Sequence, residues 1–488
     1  MTWHTRYAFQ PAAEVAVKEG FGAPQGKGIV MAQPNLSRRA ILKTALIGGI
    51  VPLVAACSAS QSSTPTPAPT AASAAKPTAA PTNATPAAQA ATSAGGTVQF
   101  LLIGATTDLL NIFNKTIIPA FTAQTKGKLE LQTTDWGSAF QKITTAAAAG
   151  TTPDTLTVGG IWTAPLAAKG ALQAIDQYTS KWADQAQFYP GIWKDAIYNG
   201  KTYCVPYNSD ARTVTFRTDF FQEVGLDPKK PPTTWDEYKA AATKLVKKNG
   251  SQIAREGADW AIDTSIGLQQ VFAQILFQAG GTYYKSDGKA NFNSPEGVKA
   301  LDWLVSFFKE GLSSVNIVNR PNAPTALVSG SGAMTYANYG TVTNALSMDK
   351  AVAPKLDAGL PLRSAPDKPQ VTCAWINKYG MGATTKLPDL AWQWIALISS
   401  AKYVAPQLEV SGLTPARKDL ADASFMKSRN PNFLNAAQYV VPQPARPQML
   451  QIVQVINQKL QGAIYLKTTT EETLTAIDQE VDKVNSAS

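Results

Sequence analysis

From Ser58 to about Gly96 the chain is almost wholly Ala, Thr, Ser and Pro, with a single charge at Lys76. A stretch of this kind cannot bury enough apolar surface to offset the entropy lost on ordering its backbone, so residues 58–96 read as a flexible tether. Any packed body must therefore be built from the residues after Gly96. The full chain has 488 residues, 44% of them hydrophobic and only 16% charged, which is core-forming material enough for more than one domain.

The body alternates between two hydrophobic periods. Val98, Phe100, Leu101, Leu102 and Ile103 predict a buried strand ending at Gly104, and Leu109 to Phe121 follows with helical spacing. Leu129 to Gln132 reads as a strand, Ser138 to Ala149 as a helix, and Thr155 to Val158 as a strand ending at Gly159 and Gly160. This order predicts an α/β fold, in which loops after the strands are the usual ligand-binding positions. Later helices announce their starts: Thr234 with Glu237 and Thr469 with Glu472 form capping boxes, and Ser294 with Pro295 opens a third.

Composition removes several functional classes. The formal charge is +10, but six of the 44 basic and two of the 34 acidic side chains lie in the first 57 residues, leaving +6. That charge is spread thinly, with no basic run to track phosphates, so nucleic acid is not an expected partner. The single histidine is His4. A body without histidine cannot run a Ser/His or Cys/His nucleophilic system and lacks the commonest metal ligand, so neither a cofactor nor a metal is expected. Cys57, Cys204 and Cys373 include no Cys-x-x-Cys pair. Cys204 and Cys373 read as small buried hydrophobes in preference to a disulfide.

Ahead of the tether, Arg38, Arg39 and Lys43 precede an apolar run from Ala45 to Ala56 that stops at Cys57. The run is too short for a stable span and is broken by Gly48, Gly49 and Pro52, so residues 31–57 read as a signal peptide. The paired arginines, followed by Ile41 where phenylalanine is usual, resemble a twin-arginine export signal. Val54, Ala55, Ala56 and Cys57 resemble a bacterial lipobox, with Val54 in the place of the commoner leucine. Those resemblances imply an exported chain, anchored by lipid on Cys57 at the outer face of the cytoplasmic membrane. Residues 1–30 precede this layout, and Met31 reads as the true start.

A wider resemblance runs from Gly96 to the C-terminus. Thr152, Pro153 and Asp154, then Lys169, Gly170, Ala171, Leu172 and Asp176, form a first signature. Tyr198, Asn199, Gly200, Lys201 and Tyr203, then Val205, Pro206 and Tyr207, form a second that continues through Gly225, Leu226 and Pro232 to Trp235. Gly280 and Gly281, then Gly332, Ala333 and Met334, then Ala391, Trp392 and Gly412 to Pro415 complete the order. In this order they are similar to extracellular solute-binding protein family one, which includes the maltose-binding proteins of ABC importers. The resemblance implies a two-lobed periplasmic-binding-protein fold of type II, with a ligand cleft between lobes joined by a hinge. It assigns 97–208 plus 358–412 to the first lobe and 209–357 plus 413–488 to the second. It implies a non-enzymatic monomer that binds a carbohydrate for the transmembrane permease subunits and their ATPase. The same fold can carry a polyamine, a glycerol phosphodiester or iron, and a glycoside hydrolase is a more distant alternative.

A sugar presents flat C–H patches and a rim of hydroxyls, so its site needs aromatic faces with Asp, Asn, Arg or Gln beside them. Residues of those types near strand ends and crossings are Thr106, Asp108, Asp135, Trp136, Trp162, Tyr207, Asn208, Asp210, Arg212, Tyr336, Tyr339 and Trp375. Each aromatic could equally be a packing residue. Trp162, Asp210 and Tyr339 match family positions that line the cleft. Arg417 is open between a cleft residue and a solvated charge. Trp303, Trp392 and Trp394, inside predicted helices, are assigned to packing, and Asp154 to a structural role.

Overall fold

The computed structural model describes residues 95–487 except 261, 263–265 and 317–324. The export signal, Cys57 and nearly all of the tether lie outside the described residues. The strands that frame the site are β1 (Thr97–Ile103), β2 (Lys128–Thr134), β3 (Thr155–Val158), β4 (Cys204–Pro206), β5 (Asn208–Ser209), β6 (Thr213–Arg217), β7 (Met334–Ala337), β8 (Leu356–Ala358), β9 (Lys378–Met381) and β10 (Thr414–Pro415).

The first sheet runs β2-β1-β3-β9-β4, with β2, β1 and β3 parallel and β9 antiparallel to both its neighbours. A sheet of this type is covered on both faces, and the continuous apolar run of β1 supplies both. Phe100 faces Phe113, Tyr379 and Trp394 at ring separations of 5.4–5.8 Å. Leu101 and Ile103 join Leu156, Val158 and Leu166 in a separate core cluster. The helical spacing after β1 is realised as Thr107–Ile112 and Ile118–Thr125 joined by a π segment, Phe113–Ile117, which keeps Phe113 and Ile117 fully buried. The next helix, Trp136–Ala148, begins two residues before the expected Ser138, because Asp135 caps it by accepting from the Ser138 amide at 2.9 Å.

The second sheet is β7-β6-β8, antiparallel throughout. Its core gathers Phe216, Tyr238, Trp260, Phe272 and Leu304, together with Ile456 and Ile477 from the C-terminal helices Met449–Ile464 and Thr470–Ser486. Both capping boxes form, and Ser294 caps its helix through the Gly297 amide. Trp303 stacks on Trp235 at 4.6 Å, Trp392 on Tyr178 at 5.2 Å, and Trp394 is fully buried. Cys204 and Cys373 are buried, unpaired, and in different cores. Burial pushes the Cys204 thiol up to about 12.

The chain passes between the two sheets along β5, again between β8 and β9, and a third time between Val440, in the first sheet's core, and Met449, in the second's. β10 is tied to the first passage, since Thr414 pairs with Ser209 and Pro415 with Asn208. No helix among the described residues is long and apolar enough to cross a membrane.

Candidate functional site

Where β1 and β3 end, the chain needs glycine. At Gly104 φ is +67°, and a Cβ there would lie 2.4 Å from the Trp136 indole nitrogen. At Gly159 and Gly160 a Cβ would come within 2.9 Å of the Trp162 ring and 3.0 Å of the Trp375 backbone. These glycines let three tryptophans settle directly on the strand ends. They open one cleft of about 590 Å³, bounded also by β5 and by residues of the second sheet's helices. That volume suits a small organic ligand.

Trp136 is 41% exposed, an unusual state for tryptophan, and meets Trp162 edge-on at 5.7 Å. Trp162 in turn packs on Phe140. Tyr207 lies on the cleft with its ring stacked on Tyr379 at 4.4 Å. Thr106 also lines the cleft and caps the following helix through the Leu109 amide, leaving its hydroxyl proton for a ligand.

Two residues of this lining carry buried donors. Asn208 is fully buried; its Oδ1 accepts from the Asn377 amide at 2.8 Å, while its Nδ2 has no partner among the described residues. Trp375 is 9% exposed, and its Nε1 is also without one. A buried unpaired donor costs about 1–3 kcal/mol, so two beside one cavity favour a ligand that brings acceptor oxygens. Asp210 supplies the complementary acceptor. The Asn338 amide donates to it, and Arg212 approaches it at 3.6 Å while stacking over Trp375 at 4.4 Å. Burial pushes the Asp210 carboxyl above the usual carboxylate range, opposed by the Arg212 guanidinium.

The structure therefore brings Thr106, Trp136, Trp162, Tyr207, Asn208, Asp210 and Trp375 to one cavity, with Arg212 behind it. It places the other candidates elsewhere. Asp135 is committed to its capping bonds with Ser138, which hold its carboxyl below the usual range, and Asp108 is exposed in a first helical turn. Tyr336 points into the second core, where its hydroxyl meets Gln278 at 3.0 Å and the Leu362 amide. Tyr339 is held edge-on to Phe433 with Arg429 over its ring, outside the cleft lining. Arg417 is neither cleft residue nor solvated charge: only 2% exposed, it forks onto Asp419, reaches Asp184 at 2.8 Å and donates to the Ser399 carbonyl. Asp154 ties the Gln99 amide to the Thr385 hydroxyl.

Sequence reasoning did not single out Asn338, Asn377, or the cleft-facing Leu450, Val453 and Gln454 of the C-terminal helix. Asn338 carried a usable signal, an amide one residue past a strand end. The helix residues carried none.

Comparison with known proteins places this architecture. A binding protein of Brucella abortus is 24% identical over 63% of this chain and 73% of its own. The sn-glycerol-3-phosphate-binding periplasmic protein of Escherichia coli K12 is 27% identical over 40% of this chain and 45% of its own. Among solved structures, the sugar-binding protein MalE from Xanthomonas citri superposes with a TM-score of 0.70 at 20% identity, over 80% of this chain and 97% of that one. Its likeness gives the fold, a two-lobed periplasmic-binding-protein architecture. The model of the bacterial extracellular solute-binding proteins matches residues 104–405, more than half of the chain, and the chain belongs to that family.

Proposed function

We propose that this chain is the substrate-binding component of a bacterial ABC importer, capturing a neutral carbohydrate between its lobes and delivering it to the permease. The observation that carries the reading is the cleft's chemistry: exposed and half-buried tryptophan faces, two unpaired buried donors and one carboxylate acceptor. Aromatic faces bind the C–H patches of a pyranose, and donors alternating with an acceptor match its hydroxyl rim. A glycerol phosphodiester or another anion would need converging cations. Among the described residues lining the cleft there is no Lys, Arg or His, and the nearest guanidinium, that of Arg212, is engaged with Asp210 and Trp375. A polyamine would need more carboxylates than Asp210 alone. The family is one of solute-binding proteins, which supports a binding role without turnover.

The test is a thermal-shift screen of the full chain against neutral sugars, sugar phosphates, polyamines and metal ions. A ligand that binds only the folded state raises the melting temperature, by an increment that grows with its concentration over Kd. Neutral sugars are expected to stabilise, with affinity nearly constant from low to high salt, because no net charge is neutralised. A stabilising hit confined to phosphates, polyamines or metals would overturn the assignment.

Lobe closure about the paired strands β5 and β10 is the proposed signal to the permease, with lobes proposed as 97–208 plus 358–412 and 209–357 plus 413–488. Delivery also depends on address. The proposal is that residues 31–57 form a twin-arginine lipoprotein signal, that Cys57 carries lipid, and that the 58–96 tether lets the binding domain search for its permease near the membrane. Cys57→Ala should move the protein from the membrane fraction to the soluble fraction, since the lipid's buried methylenes supply the anchoring. Arg38→Lys with Arg39→Lys should block export. Unchanged fractionation of both variants, followed by immunoblotting, would refute this address.

A further inference from the structure

The cleft lining is not uniformly suited to a bare sugar. The aromatic and paired polar groups come chiefly from the segments after β1, β2 and β3 and from β5, while Ile266 comes from just ahead of the helix Gly267–Gln278 and Leu450 and Val453 from the helix Met449–Ile464. Val410 and Leu413 add to these from the segment around Gly412. Together they make five aliphatic side chains on one cavity. Gly412 adopts φ +64°, and a Cβ there would lie 2.2 Å from the Thr343 hydroxyl, so the Val410–Leu413 turn is pressed against the second-sheet side. Val410 is 37% exposed, and with Trp136 it is one of the few large apolar side chains among the described residues left so open to solvent. Apolar area kept wet at a binding site is stabilised when a ligand covers it. An unsubstituted sugar has only its C–H faces to offer, and the tryptophans can take those.

Resting on the carbohydrate reading, we propose that the ligand is a neutral sugar carrying an apolar substituent, such as an N-acyl, O-alkyl or aryl group. The sugar ring sits at Trp136, Trp162 and Asp210, and the substituent covers the aliphatic side chains Ile266, Val410, Leu413 and Leu450, above the buried Val453. The two unpaired donors, Asn208 Nδ2 and Trp375 Nε1, serve ring, glycosidic or acyl oxygens.

The test is calorimetric titration of the full chain with matched pairs: glucose, galactose, mannose and maltose, each against its n-butyl and p-nitrophenyl glycoside, plus glucose against N-acetylglucosamine. Each buried methylene is worth about fourfold in affinity, so a seated butyl group should tighten binding at least tenfold over the bare sugar. Val410→Ser, at an exposed position that tolerates change, and Leu450→Ser should each shrink that ratio. Substituted and bare sugars binding equally would overturn this inference and leave the carbohydrate assignment standing. Ratios unmoved by both variants would overturn the placement on these side chains. Binding to no member of any pair would overturn the inference, and if sugar phosphates or polyamines bound instead, the carbohydrate reading would fall with it.

Discussion

Lys378→Met should destabilise the fold by about 3–5 kcal/mol, the largest single-residue effect expected outside the glycines. Lys378 sits in β9 with no exposed surface, and its ammonium pairs with Asp195 while donating to the Gly160 carbonyl at 2.9 Å and the Ile376 carbonyl at 2.8 Å. Methionine has nearly the same length and fills the space. What remains is a buried carboxylate without its cation and a Gly160 carbonyl without its donor. The second loss reaches the cleft, because Gly160 packs against the Trp375 backbone. Urea unfolding followed by tryptophan fluorescence measures the deficit. Replacing both partners, Lys378→Met with Asp195→Leu, should recover most of it, since a buried pair is worth little more than well-packed apolar groups.

The pH dependence of that deficit has a definite sign. Burial holds the Asp195 carboxyl above the ordinary carboxylate range even with Lys378 beside it, and removing the ammonium raises it further. A carboxyl with a raised folded-state value binds its proton more tightly in the folded than in the unfolded chain. Its penalty is therefore absent below the unfolded value of about 4, and it grows as pH rises through the raised folded value. Lys378→Met should lie closest to the parent protein in mild acid and fall behind toward neutrality. A deficit independent of pH would mean that lost packing, not the stranded carboxylate, is responsible.

What the sequence disclosed about this molecule follows from range. β3 spans the expected Thr155–Val158, and the Thr234 and Thr469 capping boxes form, because each depends on residues within one turn or one strand. Trp162 was legible as a cleft residue because Gly159 and Gly160 at the strand end are close to it in sequence, and Trp136 because it sits beside Asp135 just after a strand; that Gly104 makes room for Trp136 was not legible, since the two are far apart in sequence. Tyr336 was misread for a long-range reason. In β7 alternate side chains face opposite ways, and Met334 and Tyr336 share the face covered by the helix Gly267–Gln278, whose Gln278 binds the Tyr336 hydroxyl. Arg417 finds Asp184, far back in the chain, and becomes a structural tie. The aliphatic part of the cleft, Leu450 and Val453, lies on a C-terminal helix whose other apolar residues look no different in sequence. Only the tertiary packing turns Leu450 to the cavity and lets Val453 meet both cavity and core.

The substitutions with the largest expected effect on binding are in the cleft itself. Trp162→Ala removes an aromatic face and the ring that braces Trp136, so it should weaken a neutral sugar by about 1–3 kcal/mol, roughly 5- to 150-fold in Kd. Asp210→Asn keeps the shape but exchanges a charged acceptor for a neutral amide, one end of which now confronts the Asn338 amide donor. A hydrogen bond to a charged group is worth about 1.5–3 kcal/mol, so a similar loss is expected. The parent protein carries a matching pH signature. Because burial holds the Asp210 carboxyl above the usual range, binding should decline as pH falls through that raised value, and the decline should vanish in Asp210→Asn. Tyr339→Phe is the control, since that ring is occupied by Phe433 and Arg429 outside the cleft, and its affinity should stay within about twofold. Titration calorimetry across pH reads all of these. Sugar binding indifferent to Trp162→Ala and Asp210→Asn would move the site elsewhere on the fold, whereas a loss on Tyr339→Phe alone would show that lobe closure brings that residue to the ligand.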